Sequence, residues 1–107
     1  MNCSDVIRER RSIRKYKEQV TIPQEDFEKM LEAAMMAPSA CNTRPWEYFV
    51  VTNRDTISKL QEAHPYTSML TTASAAIVVC GRPDLQEGKC GPYWPQDCGA
   101  AIENLLL

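Results

Sequence analysis

Histidine is almost missing from this chain of 107 residues: His64 is the only one, and the five cysteines (Cys3, Cys41, Cys80, Cys90, Cys98) contain no CxxC pair. Tetrahedral zinc sites draw on clustered Cys and His at short spacings, so a metal centre finds little support. The cysteines are also odd in number and irregular in spacing, unlike the framework of a secreted disulfide-rich domain, and reduced thiols are expected. No stretch approaches the roughly 20 apolar residues of a membrane span. Met1-Asn2-Cys3-Ser4-Asp5 lacks the apolar segment of a signal peptide, and the two absences together predict a cytoplasmic protein. A surplus of positive charge is absent too. With 12 Lys and Arg against 14 Asp and Glu, the formal net charge is −2, which argues against a nucleic-acid binder held by many phosphate contacts. There is no internal repeat or low-complexity tract.

What is present is ordinary for one small globular domain: 44% hydrophobic and 24% charged residues, in a length too short for two domains. Ser4 reads as the N-cap of a short first helix carrying Val6 and Ile7. Thr21-Ile22-Pro23-Gln24 reads as a capping box opening a second helix. Phe27, Met30, Leu31, Ala34 and Met35 fall there at the i, i+3, i+4, i+7, i+8 spacing of a buried stripe, and Pro38 ends it. Tyr48 to Thr52 reads as a strand, and Asn53 or Asp55 as the cap of a helix carrying Ile57 and Leu60 that runs out at His64-Pro65. A short turn at Ser68 to Thr72 follows. The apolar run from Ala75 to Cys80 predicts a strand buried on both faces, and the prolines and glycines between Arg82 and Pro95 predict a long surface loop. Gln96 to Leu107 reads as a helix with Cys98, Ala101, Ile102 and Leu105 on one stripe. It has no C-terminal cap and stops on Leu105-Leu106-Leu107, which predicts a chain truncated inside a helix.

Two segments carry the chemistry. Arg8, Arg10, Arg11, Arg14, Lys15 and Lys17 concentrate positive charge on the N-terminal limb. In an extended segment Arg10, Ser12 and Arg14 share a side; in a helix Arg10 and Arg14 still do. Guanidiniums held so close repel unless an anion or carboxylates sit between them, and their planar forks match phosphate oxygens. The competing reading is a solvated basic face paired with the acidic helix from Glu25 to Glu32, or an arm touching nucleic acid. The second segment, Ser39 to Trp46, is small and polar and reads as a loop delivering side chains to a site, although Ser39 and Asn42 also suit a simple turn. Within and near it, Cys41 invites a reactive-thiol reading by its place in the loop but is expected to be a small buried thiol, and Trp46 and Phe49 read as core. His64 is expected to be exposed at a helix end.

Arg10-Arg11-Ser12-Ile13-Arg14-Lys15-Tyr16, Ala37-Pro38-Ser39-Ala40-Cys41-Asn42-Thr43-Arg44-Pro45-Trp46, Tyr48-Phe49-Val50-Val51 and the run from Asp97 to Leu107 occur in the order and spacing of the FMN-dependent nitroreductase family, which the chain resembles over almost its whole length. The resemblance implies an α+β, three-layer domain with a mainly antiparallel central sheet flanked by helices, of which residues 1–107 would be the N-terminal part. It further implies an intertwined homodimer with FMN at the interface, NAD(P)H as electron donor, and nitroaromatics, quinones or related acceptors reduced by a ping-pong hydride mechanism. Carried over residue by residue, Arg10 and Ser12 match positions near the FMN phosphate and ribityl chain, Arg11 an adjacent ribityl contact, and Arg14 the basic residue facing the pyrimidine edge of the flavin. Ser39 and Asn42 match loop positions that meet the cofactor. Arg44 stands where Gln is more usual, replacing an amide that donates and accepts with a group that only donates. No protein nucleophile or general acid is demanded. The alternative function is a non-catalytic partial domain whose Arg-rich limb binds anions.

Overall fold

The computed structural model describes residues 1–107. Its elements run α1 (Cys3–Glu9), α2 (Gln24–Met35), β1 (Trp46–Val51), α3 (Arg54–Ala63), β2 (Ala76–Gly81) and α4 (Trp94–Leu106), with short 3-10 turns at Ala40–Asn42, Ser68–Thr71 and Pro83–Leu85. β1 and β2 pair antiparallel, Trp46 opposite Gly81 and Val51 opposite Ala76. Helices pack on this sheet to give an α+β fold. No helix is long and apolar enough to cross a membrane.

Capping chemistry explains several boundaries. Asn2, rather than Ser4, caps α1: its Oδ1 accepts from the Asp5 amide at 3.0 Å. Asn53 does the same for α3, accepting from the Thr56 amide. The capping box expected at Thr21 is not made. Pro23 occupies the N-cap position without a side-chain bond, and Gln24 instead reaches forward to Glu28 at 3.3 Å. At α4 the helix begins two residues earlier than the proline pattern suggests, because Pro95 sits in the first turn, where a missing N–H costs nothing. His64 lies exposed just past α3, its Nδ1 accepting from the Tyr66 amide.

The core forms where α2 and α4 meet on one face of the sheet. Ala34 and Ala101 are both fully buried, and with Ala37, Trp46 and Cys98 they make one cluster against which Tyr48, Val79, Trp94 and Leu105 pack. Small side chains at the helix contact let the backbones approach, and Asn104 Nδ2 spans the gap to the Ala33 carbonyl at 3.0 Å. Along β1 the even positions face these helices: Trp46 is buried, Tyr48 is half-buried, and their rings lie 6.5 Å apart. Phe49, expected in the core, is on the other side of the pleat and 53% exposed. Met35 also departs from its stripe and is exposed where α2 ends. β2 is a strand as its apolar run suggests, but none of its residues is fully buried, since it has a partner along one edge only.

The chain is loosely closed. Its radius of gyration is 15.2 Å, against about 13 Å for a typical domain of this length. Tyr16, Val20, Ile22, Phe27, Met30 and Leu105 line an apolar cleft of about 620 Å³.

Two outcomes follow. A Cβ added at Gly81 would collide with the Trp94 ring, so Gly81→Ala is expected to destabilise the fold by about 1–3 kcal/mol in urea unfolding. Burial, with a smaller contribution from Cys98, pushes the Tyr48 phenol from 10.0 up to about 12. The folded state then holds this proton after the unfolded state has lost it. Stability from this group is intact below pH 10, falls between pH 10 and about 12 and levels off above; ultraviolet phenolate titration of wild type against Tyr48→Phe measures it.

Candidate active site

The segment from Ser39 to Arg44 is a tight, self-bonded turn. The Asn42 amide donates to the Ser39 carbonyl and the Thr43 amide to the Ala40 carbonyl, while Ser39 Oγ accepts from the Arg44 amide at 3.0 Å. Arg44 Nε reaches Asn42 Oδ1 at 3.3 Å. Ser39, Asn42 and Arg44, three of the residues expected at a site, are therefore brought together. Cys41, Asn42 and Arg44 have φ of 52°, 54° and 50°, a left-handed conformation that non-glycine residues adopt only when their surroundings impose it.

Those surroundings are a buried polar network. Asp97, in the first turn of α4, is 8% exposed, and its Oδ2 accepts from the Ala40 amide at 3.1 Å and from Gln86 Nε2 at 2.8 Å. The same Gln86 nitrogen donates to Thr43 Oγ1, which in turn donates to the Ala40 carbonyl at 2.7 Å. The Ala40 residue is thus gripped at both its N–H and its C=O. Gln86 is 2% exposed although it lies in the segment expected to be a surface loop. In the sequence Asp97 figures only at the head of the final helical run, and no local signal marks Gln86.

Cys41 is exposed rather than buried, because its left-handed backbone turns the side chain outward from the network; its Sγ lies 3.7 Å from the Lys89 carbonyl. Burial, then the charge of Asp97, pushes the Cys98 thiol up, leaving it a protonated packing group 3.6 Å from the Pro45 carbonyl.

The N-terminal limb leaves α1 at Arg10 and runs extended and exposed through Arg11, Ser12 and Arg14. It is tied down by the Tyr16 amide donating to Thr72 Oγ1. Arg10 pairs with Glu103 of α4 at 3.4 Å. None of Glu25, Asp26, Glu28 or Glu32 forms an ion pair with the limb, so the carboxylate that offsets the basic cluster comes from α4 and not from α2. Arg11 and Arg14 engage no carboxylate. Within one chain the two groups open on different clefts: Arg10 and Arg11 on one of about 290 Å³, Arg44 on one of about 560 Å³ with Met35 and Tyr48. Arg82 is unavailable as a free cation. It forks onto Asp84 and reaches Glu47 at 2.6 Å, which raises its own pKa and lowers that of Asp84.

Arranged this way, the turn presents a mixed amide and guanidinium edge, and the limb presents two uncompensated guanidiniums suited to phosphate.

The family model described as the Nitroreductase family matches residues 7–65. A protein of Archaeoglobus fulgidus provisionally named NADH dehydrogenase/NAD(P)H nitroreductase is 50% identical over 107 aligned residues, covering 98% of this chain and 59% of that protein. Among solved structures, one from Clostridium acetobutylicum, provisionally described as an NADH oxidase, superposes with a TM-score of 0.88 at 43% identity, covering 95% of this chain and 60% of the other. An FMN-dependent nitroreductase from Clostridium difficile gives 0.82 at 30%, covering 94% and 56%. The chain therefore spans under two thirds of the length of these relatives.

Asp97→Ala would leave the Ala40 amide and Gln86 Nε2 without their buried acceptor. A loss of about 2–3 kcal/mol is expected in chemical unfolding, with faster hydrogen exchange at Ala40 than in wild type.

Proposed function

From the premise that this chain belongs to the nitroreductase family, we propose that it is the N-terminal part of one FMN-binding domain whose complete form is an NAD(P)H-dependent oxidoreductase. Nitroaromatics, quinones or related conjugated acceptors are its substrates. The observation that supports this most directly is the Ser39–Arg44 turn, held rigid by Asp97 and Gln86 while Asn42 and Arg44 remain at the surface. A structural relative that aligns with 94% of this chain is named as FMN-dependent.

The donor set suits the cofactor. Exposed Arg11 and Arg14, free of ion pairs, can take phosphate and ribityl oxygens or a flavin edge, with Arg10 and Ser12 beside them. Asn42 supplies an amide able to donate to one edge atom while its Oδ1 holds Arg44 in place. When bound, FMN supplies two-electron chemistry, accepting hydride from NAD(P)H and passing it to the acceptor. The protein's part is to bind, orient and bias charge. A guanidinium such as Arg14 near the pyrimidine edge stabilises the negative charge that arrives with reduction and does so without reorganising.

That the limb and the turn open on different clefts in one chain supports a homodimer in which each copy completes the other's site. The loose closure of the fold and the uncovered cleft beside Phe27 and Leu105 support further chain or a second copy lying there.

The full-length protein is expected to be yellow and to bleach with NAD(P)H in the absence of air. Arg14→Ala in that protein is expected to weaken FMN binding or lower the flavin potential. A colourless protein that retains anions in a salt-sensitive way would replace the oxidoreductase reading with that of an anion-binding fragment. Unchanged flavin affinity and potential in Arg14→Ala would remove Arg14 from the site.

A further inference from the structure

Two cysteines far apart in sequence meet beside the site turn. Cys41 Sγ lies 3.7 Å from the carbonyl of Lys89, the residue before Cys90, and Cys90 Sγ lies 3.9 Å from the carbonyl of Ala40, the residue before Cys41. These reciprocal contacts cross-match the two segments and set the two thiols side by side. No other cysteine shares this arrangement: Cys3 is on α1, Cys80 on β2, and Cys98 is buried against Pro45. All five are thiols in this structure.

We propose that Cys41 and Cys90 form a dithiol site that reacts with low-molecular-weight disulfides and closes a bond pinning the Ser39–Arg44 turn to the segment that follows Gln86. The two sulfurs differ in a way that sets the order of events. Cys41 is exposed, whereas Cys90 is half-buried, and burial followed by Cys41 itself and by Asp97 disfavours its thiolate. Cys41 therefore attacks first. Its thiolate displaces one thiol from the reagent and forms a mixed disulfide; Cys90 then loses its proton to solvent and attacks the Cys41 sulfur, expelling the second thiol. Two protein thiols are oxidised to one disulfide, and one small disulfide is reduced to two thiols. The product crosslinks a turn whose Cys41, Asn42 and Arg44 are already in left-handed backbone, so it restricts the residues placed nearest the proposed cofactor.

The chemistry can be read without flavin, so its failure is separate from failure of the oxidoreductase reading. The protein is incubated with oxidised glutathione, quenched with an alkylating reagent, digested without reduction and mapped by mass spectrometry. The expected result is a Cys41–Cys90 linked peptide two hydrogens lighter than its parts, two glutathione thiols released per link, and slower hydrogen exchange across residues 40–44. Cys90→Ser should arrest the reaction with glutathione retained on Cys41, and Cys41→Ser should slow thiol release from this pair by about tenfold or more. Cys3→Ser should leave the link intact. Wild-type protein that carries stable glutathione on Cys41 with no linked peptide, or that links Cys41 or Cys90 to a different cysteine, would overturn the proposal.

Discussion

The carboxylate of Asp97 is the interaction on which the rest of the site depends. A buried charge is costly unless it is met by donors, and here a backbone amide from one segment and a side-chain amide from another meet it. The cost of leaving those donors unpaired is what keeps the Ser39–Arg44 turn in a conformation its residues would not otherwise choose. Strain in the turn and charge in the network are two sides of one arrangement, since three left-handed non-glycine residues persist only where the environment over-determines them.

The network also explains why the sheet end nearest the turn is so tightly joined. The Arg82 amide donates to the Pro45 carbonyl at 2.8 Å, and the Arg82 side chain clamps Glu47 and Asp84. Gly81, directly before it, lies under the Trp94 ring with no room for a side chain. The first turn of α4, the end of β2 and the start of β1 thus converge within a few residues of the Ala40 amide. Exposed ion pairs contribute little to stability; here their effect is on direction, because they fix the start of β1, into which the turn runs, against the end of β2.

Much of this was legible in the residues. Helix and strand positions followed from periodicity, Asn53 and Pro38 marked real boundaries, and the Ser39–Trp46 segment stood out as a polar loop between an apolar helix and a strand. The misses share a cause. Phe49 and Met35 have core chemistry, but which face of a strand or which end of a stripe is covered depends on neighbours that no local pattern encodes. Gln86 lies in a stretch whose glycines and prolines argue for exposure; only the long-range approach of Asp97, 11 residues on, and Thr43, 43 residues back, buries it. Cys41 reads as a packing thiol because small thiols are commonly buried, and its backbone twist, imposed from outside the segment, reverses that. The acidic partner of the basic limb was likewise sought in the nearest run of carboxylates, whereas Glu103 comes from the far end of the chain.

Glu103 and Asp97 stand on the same helix, six residues and thus about 9 Å apart along its axis. One rigid rod therefore holds the exit of the cationic limb through Arg10 at one point and the polar turn through Ala40 at another. Such a ruler tolerates changes of side chain but not of count. A single residue inserted between the two acids would rotate one relative to the other by about 100°, so the spacing between these two acidic positions behaves as a fixed gauge for how far apart one copy holds its limb and its turn.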